Sequence, residues 1–322
     1  MRTTSRSVYD ELMSRGIPVE YQQVGETSFF LFPYQGTLHA MTGISTDLSS
    51  STSRTICNNK DITTVLGKAL GVHMPATEVY DTDDEAHRFL DAYKLIVVKP
   101  ADSAHGNGVT INIATHEQLA AAIERAREFA TKGRVILQQQ VTGSDYRVLI
   151  IDGQAVAVCE RVPASVVGDG IHSIAELIDM ENATNPRRGH NYEKPLNVID
   201  TEAVRIFLGD KISDIPAANE LVVVVGTANM GTGGKAINRT DEVPLGMKEE
   251  AERLASTIGA FTCGVDFMYD PARDAYYLIE LNSSPSFGLH HSPSEGEPID
   301  VAKIFVDKLL ARYDQALLTK QA

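Results

Sequence analysis

The stretch GVDFMYDPARDAYYLIELN, residues 264–282, predicts a β-hairpin that carries acids on a face otherwise typical of a buried sheet. Two strand-like runs flank the segment DPARDA, whose Asp and Pro residues favour a turn. If Asp270 pairs with Tyr276, counting along both strands places Asp266 opposite Glu280. The two carboxylates are therefore expected to face each other.

Opposed carboxylates repel unless a positive group lies between them. Asn282, two residues beyond Glu280, adds an amide oxygen on the same face of the strand. This sparse all-oxygen set suits Mg²⁺, which takes one or two carboxylates and completes its shell with waters and substrate phosphates. The hairpin therefore predicts a metal site at Asp266, Glu280 and Asn282. An edge hairpin with solvated acids would show the same pattern, so the rest of the chain must decide.

Composition narrows the class of protein. The 322 residues suffice for a large core and suggest two domains or one elaborate domain. The net charge of -14 argues against nucleic acid or an anionic membrane as a partner. No apolar run approaches the roughly 18 residues of a membrane span, and the polar start MRTTSRSVYDE does not resemble a signal peptide. We expect a cytoplasmic protein with a local anion site.

Cysteines and short metal motifs offer no alternative site. Cys57, Cys159 and Cys263 are odd in number and widely spaced, and the last two lie in strand-like runs, so we interpret them as reduced core thiols. The chain contains no CxxC, no HExxH and no Walker-type phosphate loop.

Three units follow one another along the chain. A small α/β unit and a linker, TDLSSSTSRT, are predicted for residues 1–75. A compact lobe with the order β-loop-β, helix and β is predicted for residues 76–141. Residues 142–322 predict the largest unit, which begins with a hairpin. It includes a polar, Pro-containing excursion at about 170–220 and a buried strand, ELVVVV.

Helix boundaries are indicated by capping residues. Asp61 is expected to cap a short helix that Gly71 ends. Thr115 is expected to cap the long helix of the middle lobe, with Gln118 completing a capping box.

Two segments are candidates for binding a nucleotide. Lys99 ends the apolar strand LIVVK just before Pro100 and the glycine-bearing loop ADSAHGNG, and loop N–H groups with an ammonium can cradle a polyphosphate. The segment QQQVTGSD, residues 138–145, lies between two apolar strands as expected for a hinge. Its backbone would pair with adenine, and Asp145 would accept from ribose hydroxyls. An ordinary turn and a solvated linker are the alternatives.

Arg147 and Arg161 lie on the two arms of the hairpin around Asp152 and Gly153, as near neighbours. Arginines inside apolar strands need anionic partners, either a phosphate or a structural carboxylate.

The chain resembles the ATP-grasp module of cyanophycin synthetases and the glutathione-synthetase half of bifunctional glutathione synthetases. The resemblance runs in order from about residue 16 to residue 310. It rests on NNKDITTVLGKALGVHMPA, VVKPADSAHGNGVTINI, VTGSDYRVLIIDG, RVPASVVGDGIHSIAELI, TANMGTGGKAIN, GVDFM and ELNSSPSFGLHHSPSEG.

The resemblance implies an α/β fold of the ATP-grasp type, with three subdomains and ATP held between two lobes. It implies a ligase that phosphorylates a carboxylate of an amino acid or short peptide and lets an amine attack the acyl phosphate. The implied cofactors are ATP and Mg²⁺, with two ions. Small amino acid or peptide substrates are the expected partners, and a homo-oligomer is possible.

The resemblance also assigns roles to individual residues. Those expected to contact the nucleotide are Lys60, Lys99, Ser103, Gly106, Asn107, Gly108, Gln138, Gln139, Val141 and Asp145. Those expected near the reacting carbonyl are Arg161, His105 and Arg147, and those expected near the substrate are Ser165, Ser283, Ser284 and His290. A packed or solvated pair is the alternative interpretation of His290 and His291.

Three positions depart from the family pattern. Gln138 replaces a Glu before the hinge, Asn107 replaces an Arg of the phosphate loop, and Val225 replaces an Arg before TAN. These changes suggest altered substrate recognition. Neither the Mur-ligase-like domain of cyanophycin synthetases nor a γ-glutamylcysteine ligase half is recognised, so we expect a stand-alone ligase. A glutathione-synthetase-like enzyme and a non-catalytic nucleotide-binding module remain alternatives.

Overall fold

The computed structural model describes residues 3–25, 27–103, 106–189, 194 and 196–321. Its N-terminal part is a three-stranded antiparallel sheet with three helices. The elements are α1 (Thr3–Ser14), β1 (Glu20–Val24), β2 (Thr27–Tyr34), β3 (Thr37–Thr42), α2 (Ser51–Cys57) and α3 (Lys60–Leu70). The predicted linker TDLSSSTSRT is therefore partly helical, because Ser50 caps α2 by accepting from Ser53 N–H.

The middle lobe is a four-stranded antiparallel sheet in the order β4-β7-β5-β6 with two helices packed on it. Its elements are β4 (Thr77–Val79), α4 (Asp83–Tyr93), β5 (Ile96–Pro100), β6 (Thr110–Ile113), α5 (His116–Phe129) and β7 (Val135–Gln139). The capping box of Thr115 and Gln118 is confirmed at the start of α5. This lobe has a core of its own, formed by residues between Ala86 and Leu137.

The C-terminal part is built on a five-stranded antiparallel sheet in the order β14-β9-β8-β15-β16. Its elements are β8 (Ser144–Ile151), β9 (Gln154–Val162), β10 (Ser165–Val167), α6 (Ile174–Thr184), β11 (Arg188–Gly189), β12 (Leu196–Asn197), α7 (Thr201–Leu208), β13 (Leu221–Val223), β14 (Lys235–Asn238), α8 (Leu245–Ile258), β15 (Thr262–Asp270), β16 (Ala275–Asn282), α9 (Gly288–His291) and α10 (Val301–Gln321). Short 3₁₀ turns lie at Gly209–Ser213 and Met230–Thr232.

Two cores cover the faces of the C-terminal sheet. One packs α1 and the N-terminal sheet against α10, through residues such as Leu12, Phe32 and Phe305. The other packs α8 and the α2–α3 region, including Cys57, against the opposite face. The N-terminal part is thus held to the C-terminal part by shared apolar contacts. All three cysteines are free and buried, which confirms their interpretation as core thiols.

The register of the β15–β16 hairpin confirms the central prediction and corrects a detail. Asp266 pairs with Glu280, as expected. Asp270, however, pairs with Ala275 instead of Tyr276, because a β-bulge after Asp266 shifts the register by one residue. The turn is therefore shorter than its sequence suggested, and the two acids still meet.

Two other local predictions were wrong. Asn59, not Asp61, is the N-cap of α3, and Asp61 lies in the first turn, where its carboxylate contacts Arg134. The run ELVVVV forms only a short strand, and the Leu221 and Val223 side chains are exposed. The reason is that β13 pairs with β10 alone, so one face of this two-stranded ribbon is open to solvent.

Within the described ranges, no helix combines the length and apolar character that crossing a membrane requires.

His291 offers a test of how α10 is held. Its Nε2 accepts from Ala302 N–H at 3.1 Å, and burial, opposed by Asp300, lowers the pKa of His291. Only the neutral imidazole accepts this bond, so its stabilisation should be complete above about pH 6.5 and lost as the pH falls. A His291→Gln variant can accept at any pH. When the pH is lowered from about 7.5 to about 5, the free energy of unfolding of the parent protein should fall by about 1 kcal/mol more than that of the variant. Urea unfolding measures both losses, and equal losses would contradict the prediction.

Candidate active site

The predicted acids and arginines share one face of the C-terminal sheet. Cross-strand pairing puts Glu280, Asp266 and Arg147 in one row over β16, β15 and β8. The neighbouring row contains Asp145 opposite Arg161. Because directly paired residues point to the same side, the sheet register alone gathers these five side chains.

Asp266 is the centre of this group. Its carboxylate is 2% exposed and accepts from Arg147 Nε at 2.7 Å and from Arg147 Nη2 at 2.6 Å. Arg161 Nη2 donates to the same carboxylate at 2.8 Å. Burial alone would raise the pKa of Asp266, but the two arginines outweigh it and lower that pKa to about 2. Asp266 is therefore ionised at neutral pH.

Arg161 also joins Asp145 to the network. Its Nε and Nη2 both donate to the Asp145 carboxylate at 2.8 Å. Burial, only partly opposed by Arg161, raises the pKa of Asp145. The arginines thus have carboxylate partners, the structural alternative that the sequence left open. A ribose hydroxyl at Asp145 would have to share the carboxylate with Arg161.

Lys60 links the acids to the phosphate loop. It is the first residue of α3, and its Nζ donates to the Ser103 carbonyl at 2.7 Å. The same Nζ lies 3.2 Å from Glu280 Oε2. An ammonium therefore occupies the space between the loop that follows β5 and the acid on β16.

Lys99 is buried and bonded to Gln138. Its Nζ donates to Gln138 Oε1 at 2.8 Å, and Gln138 Nε2 donates to Thr77 Oγ1 at 2.9 Å. Burial lowers the pKa of Lys99 to about 8, against the attraction of Glu280. A neutral amide stabilises an ammonium less than a carboxylate would, so Gln138 stabilises the charged form of Lys99 only weakly.

The described part of the phosphate loop is tightly wound. Ser103 Oγ donates to the Asn107 carbonyl at 2.7 Å. Gly106 and Gly108 both have φ near +75°, a conformation that L side chains rarely adopt. His105 lies outside the described residues, so its expected role stays a prediction.

A small cavity opens at the predicted hinge. It has a volume of about 220 Å³ and is lined by residues 139–142 together with Asp270, Arg273, Ala275 and Tyr277. The N–H groups of Gln139 and Gln140 are already bonded to the carbonyls of Ala76 and Leu95. A base in this cavity would therefore rely on other hinge groups, among which Val141 is the predicted contact.

A larger cavity of about 840 Å³ lies on the excursion, beside α6 and the start of α7. Three of its lining side chains are acidic, Asp179, Asp200 and Glu202, and Arg205 is its one cation among the described residues. Polyphosphate needs positive partners, so this acidic cavity does not suit it.

The residues expected near the substrate are spread around the network. Ser165 is half-buried at the start of β10, and Ser283 Oγ lies 3.4 Å from Asn58 Oδ1. Asn282 Oδ1 accepts from Ser284 N–H. His290 is 3% exposed, and its Nε2 has no partner among the described residues. Burial, with the nearby charge of Arg147, lowers the pKa of His290 to about 3, so this imidazole is neutral.

Two polar contacts were missed from the sequence. Thr77 orients Gln138, and Asn58 faces Ser283. Thr77 follows Pro75 at the start of a short strand, and only the pairing of β4 with β7 shows that it lies opposite Gln138. No spacing rule connects residues that lie so far apart in the sequence. The TAN and glycine pattern around Thr227 is visible in the sequence, but no role was predicted for it.

The fold is that of ATP-grasp proteins. Residues 65–169 match the family described as prokaryotic glutathione synthetase, ATP-grasp domain. The chain therefore contains an ATP-grasp domain of the glutathione-synthetase type.

Two groups of curated relatives match nearly the whole chain. The cyanophycin synthetase of Trichormus variabilis is 33% identical over 318 residues, covering 95% of this chain and 35% of the relative. The glutathione biosynthesis bifunctional protein of Listeria monocytogenes is 30% identical over 324 residues, covering 96% of this chain and 41% of the relative. The chain thus spans well under half the length of these relatives.

Solved structures agree with this relationship. A bifunctional glutathione synthetase from Pasteurella multocida superposes with a TM-score of 0.67 at 27% identity, covering 96% of this chain and 44% of that chain. A D-alanine–D-alanine ligase from Bacillus anthracis, at 14% identity and a TM-score of 0.50, shares the fold and covers 85% of this chain and 72% of that chain.

The lowered pKa of Lys99 predicts a pH-dependent anion affinity. Because the pKa of Lys99 is about 8 in the protein without a bound ligand, the lysine loses its charge as the pH rises. ADP affinity measured in EDTA should therefore fall about tenfold between about pH 7 and pH 9. A Gln138→Glu variant should hold the proton to higher pH and shift this fall upward, while Lys99→Arg should abolish it.

Isothermal titration calorimetry of the three proteins provides the measurement, and the Lys99→Arg curve subtracts any ionisation of ADP itself. The same fall in all three proteins would show that Lys99 is not the titrating group.

Proposed function

We propose that this chain is an ADP-forming ligase that joins a carboxylate to an amine at the expense of ATP. The observation that carries the proposal is the position of Lys60. Its ammonium contacts the carbonyl of the phosphate loop and the Glu280 carboxylate at once. A cation suited to phosphate and an acid suited to Mg²⁺ therefore meet at one point between two lobes.

Support for ATP comes from all three parts of the chain. Lys60 belongs to α3, Lys99 to the middle sheet and Glu280 to the C-terminal sheet. The hinge cavity at residues 139–142 begins where β7 of the same middle sheet ends. We infer that the base occupies the hinge and that the phosphates reach the two lysines and the loop N–H groups.

The oxygen donors fit Mg²⁺. Glu280 is partly exposed, and among the described residues its salt bridge is with Lys60. Asp266 accepts three hydrogen bonds from the two arginines, and Asn282 lies two residues beyond Glu280 on β16, opposite Gly264. When bound, Mg²⁺ would neutralise the charge that moves with the γ-phosphoryl group. We propose two ions here, held by these three residues.

The reaction follows from this arrangement. A substrate carboxylate oxygen attacks the γ-phosphorus, the bond from that phosphorus to the β,γ-bridging oxygen breaks, and ADP leaves. An amine nitrogen then attacks the acyl carbon and loses a proton. The bond from carbon to the phosphate oxygen breaks, which releases phosphate and forms the amide. The protein has to hold both anions in line and exclude water.

The two arginines are suited to different tasks. Arg147 is 6% exposed, and both of its described bonds go to Asp266, so we propose that it positions that acid. Arg161 bridges Asp145 and Asp266, and its side chain is 15% exposed. We propose that its guanidinium stabilises the oxyanion that forms at the reacting carbonyl.

The substrate carboxylate is proposed to come from an amino acid or short peptide, bound near Ser165, Ser283 and Ser284. Val225 is buried in the core of the excursion, so the position where relatives carry an Arg offers no charge to a substrate. The match to the glutathione-synthetase domain favours one second candidate, the joining of a γ-glutamyl dipeptide to glycine. A cytoplasmic location and a homo-oligomeric state remain predictions.

Glu280→Gln provides the test of the metal site. Loss of one carboxylate should reduce substrate-dependent ADP formation by a factor of at least about 100, because the Mg²⁺ that neutralises the phosphates would bind less tightly. Glu249→Gln, an exposed acid on α8, is the matched control and should keep full activity. Full activity of Glu280→Gln at every Mg²⁺ concentration would remove the metal assignment.

The substrates can be identified by mass spectrometry of products formed from ATP and a panel of amino acids, dipeptides and amines. Formation of a tripeptide from a γ-glutamyl dipeptide and glycine alone would select the second candidate. ATP binding without stimulated ADP release by any pair would select a non-catalytic nucleotide-binding module instead.

A further inference from the structure

The start of α3 is bonded to the middle lobe at three consecutive residues. Lys60 N–H donates to the Ala101 carbonyl at 2.9 Å, and Ala101 directly follows β5. On either side of Lys60, Arg134 Nη2 donates to Asn59 Oδ1 at 3.0 Å, and Arg134 Nη1 forms an ion pair with Asp61. Arg134 directly precedes β7, so one guanidinium of the middle lobe bonds to both chain neighbours of Lys60.

Asn59 makes an unusual set of bonds for a helix N-cap. The side-chain oxygen of an Asn at this position ordinarily accepts from an N–H of the first helical turn, but among the described residues Asn59 forms no such bond. Its Oδ1 accepts from Arg134 instead, and its Nδ2 donates to the Thr55 carbonyl of α2 at 2.7 Å. The Asn59 side chain therefore joins the start of α3 to Arg134 and gives up a bond that would stabilise the helix alone.

Asp61 makes the contact with Arg134 an ionic one. Its side chain is 11% exposed, so this ion pair is less accessible to water than a pair on the open surface. One Asp61 carboxylate oxygen also accepts from Ile62 N–H at 2.9 Å, which fixes the direction of the carboxylate. The Arg134 side chain thus bonds to a fixed amide on one side and to a fixed carboxylate on the other.

The remainder of α3 packs in a different direction. Leu66 and Leu70 lie against the core of the C-terminal sheet, whereas the first residues of the helix bond to the middle lobe. The apolar contacts of the helix therefore do not fix its start relative to the middle lobe. The bonds to Arg134 and Ala101 do so.

The position of the Lys60 ammonium depends on this helix start. A lysine side chain has many rotamers, and ordering it costs conformational entropy, so its backbone has to be held if the ammonium is to stay between Glu280 and the loop after β5. We propose that Arg134 is a positioning residue that holds Lys60 at the phosphate site through its bonds to Asn59 and Asp61. This inference rests on the proposed function, which places the phosphates at Lys60.

Two other roles for Arg134 have to be separated from this one, general stabilisation of the fold and direct attraction of the nucleotide by its charge. Arg134→Met removes both bonds and the charge. Arg134→Lys keeps the charge, but a single ammonium does not reproduce the planar fork that bridges two acceptors. Asp61→Asn weakens the same contact from the partner's side, and it leaves Arg134 in place. Arg88→Met, at an exposed arginine of α4, is the matched control.

The first readout is ADP affinity at pH 7 in EDTA, measured by isothermal titration calorimetry. Arg134→Met should lower this affinity about tenfold, which corresponds to the loss of one charge-assisted hydrogen bond. Arg134→Lys should lose most of the same factor. Asp61→Asn should also bind ADP more weakly, although removal of an acid near an anion site would strengthen binding if charge alone mattered. Arg88→Met should match the parent protein.

A double-mutant cycle shows whether Arg134 acts through the lysine. In a Lys60→Met background, adding Arg134→Met should cause no further loss of ADP affinity, because there is no ammonium left to position. Destabilisation of the fold, or a direct attraction between Arg134 and ADP, would leave the tenfold loss in that background.

The second readout is hydrogen–deuterium exchange of the peptide that spans residues 58–70, without nucleotide. Arg134→Met should raise exchange at the start of this peptide about tenfold, because opening of the first turn no longer breaks the bonds to Arg134. Arg88→Met should leave it unchanged. Exchange in the core strand β15 is the internal control for folding.

Three results would overturn the proposal: parental affinity and exchange in Arg134→Met, full ADP affinity in Arg134→Lys, or an undiminished tenfold loss in the Lys60→Met background. If Arg134→Met does not fold, stronger ADP binding by Asp61→Asn would overturn it as well. Failure of the parent protein to bind ADP would instead contradict the proposed function. The exchange of the proteins without nucleotide would then still decide whether Arg134 holds the start of α3.

Discussion

The site depends on one buried ionic contact, the carboxylate of Asp266 held by Arg147 and Arg161. An isolated carboxylate at this depth would be protonated, because burial disfavours its charged form. Three guanidinium hydrogen bonds keep the charge in place and fix the direction of the side chain. Removing one partner of such a pair typically costs about 3–5 kcal/mol, so the network constrains β8, β9 and β15 together.

This network brings the remaining groups into relation with one another. Glu280 lies opposite Asp266 because the hairpin register demands it, and Glu280 in turn attracts Lys60 at the start of α3. Lys60 then reaches the phosphate loop. Asp266 and Glu280 face each other with like charge, and each is offset by its own cations, the two arginines for Asp266 and Lys60 for Glu280.

The middle lobe contributes the buried cation Lys99, and the excursion contributes Thr227. Lys99 is held by an amide in place of an acid, so its protonation is sensitive to the ligand and to pH near neutrality. Thr227 lies against Gly106 of the loop that follows β5. The contact between Gly106 and Thr227 therefore joins the middle lobe to the excursion, whose apolar cores are separate.

Residue order alone determined much of this protein. Alternation in the runs around Asp266 and Glu280 placed the acids opposite each other, and the capping box of Thr115 marked the start of α5, because both patterns act over a few neighbouring residues. The family motifs indicated the ATP-grasp fold. The tertiary structure decided what each charge contacts: Arg161 bonded to Asp145 and Asp266, Lys60 bridging Ser103 and Glu280, and Thr227 against Gly106. It also decided the bulge after Asp266, which the strand pattern does not mark. These contacts join residues far apart in the chain, and their partners are selected by burial and by the packing of whole lobes, which no local pattern encodes.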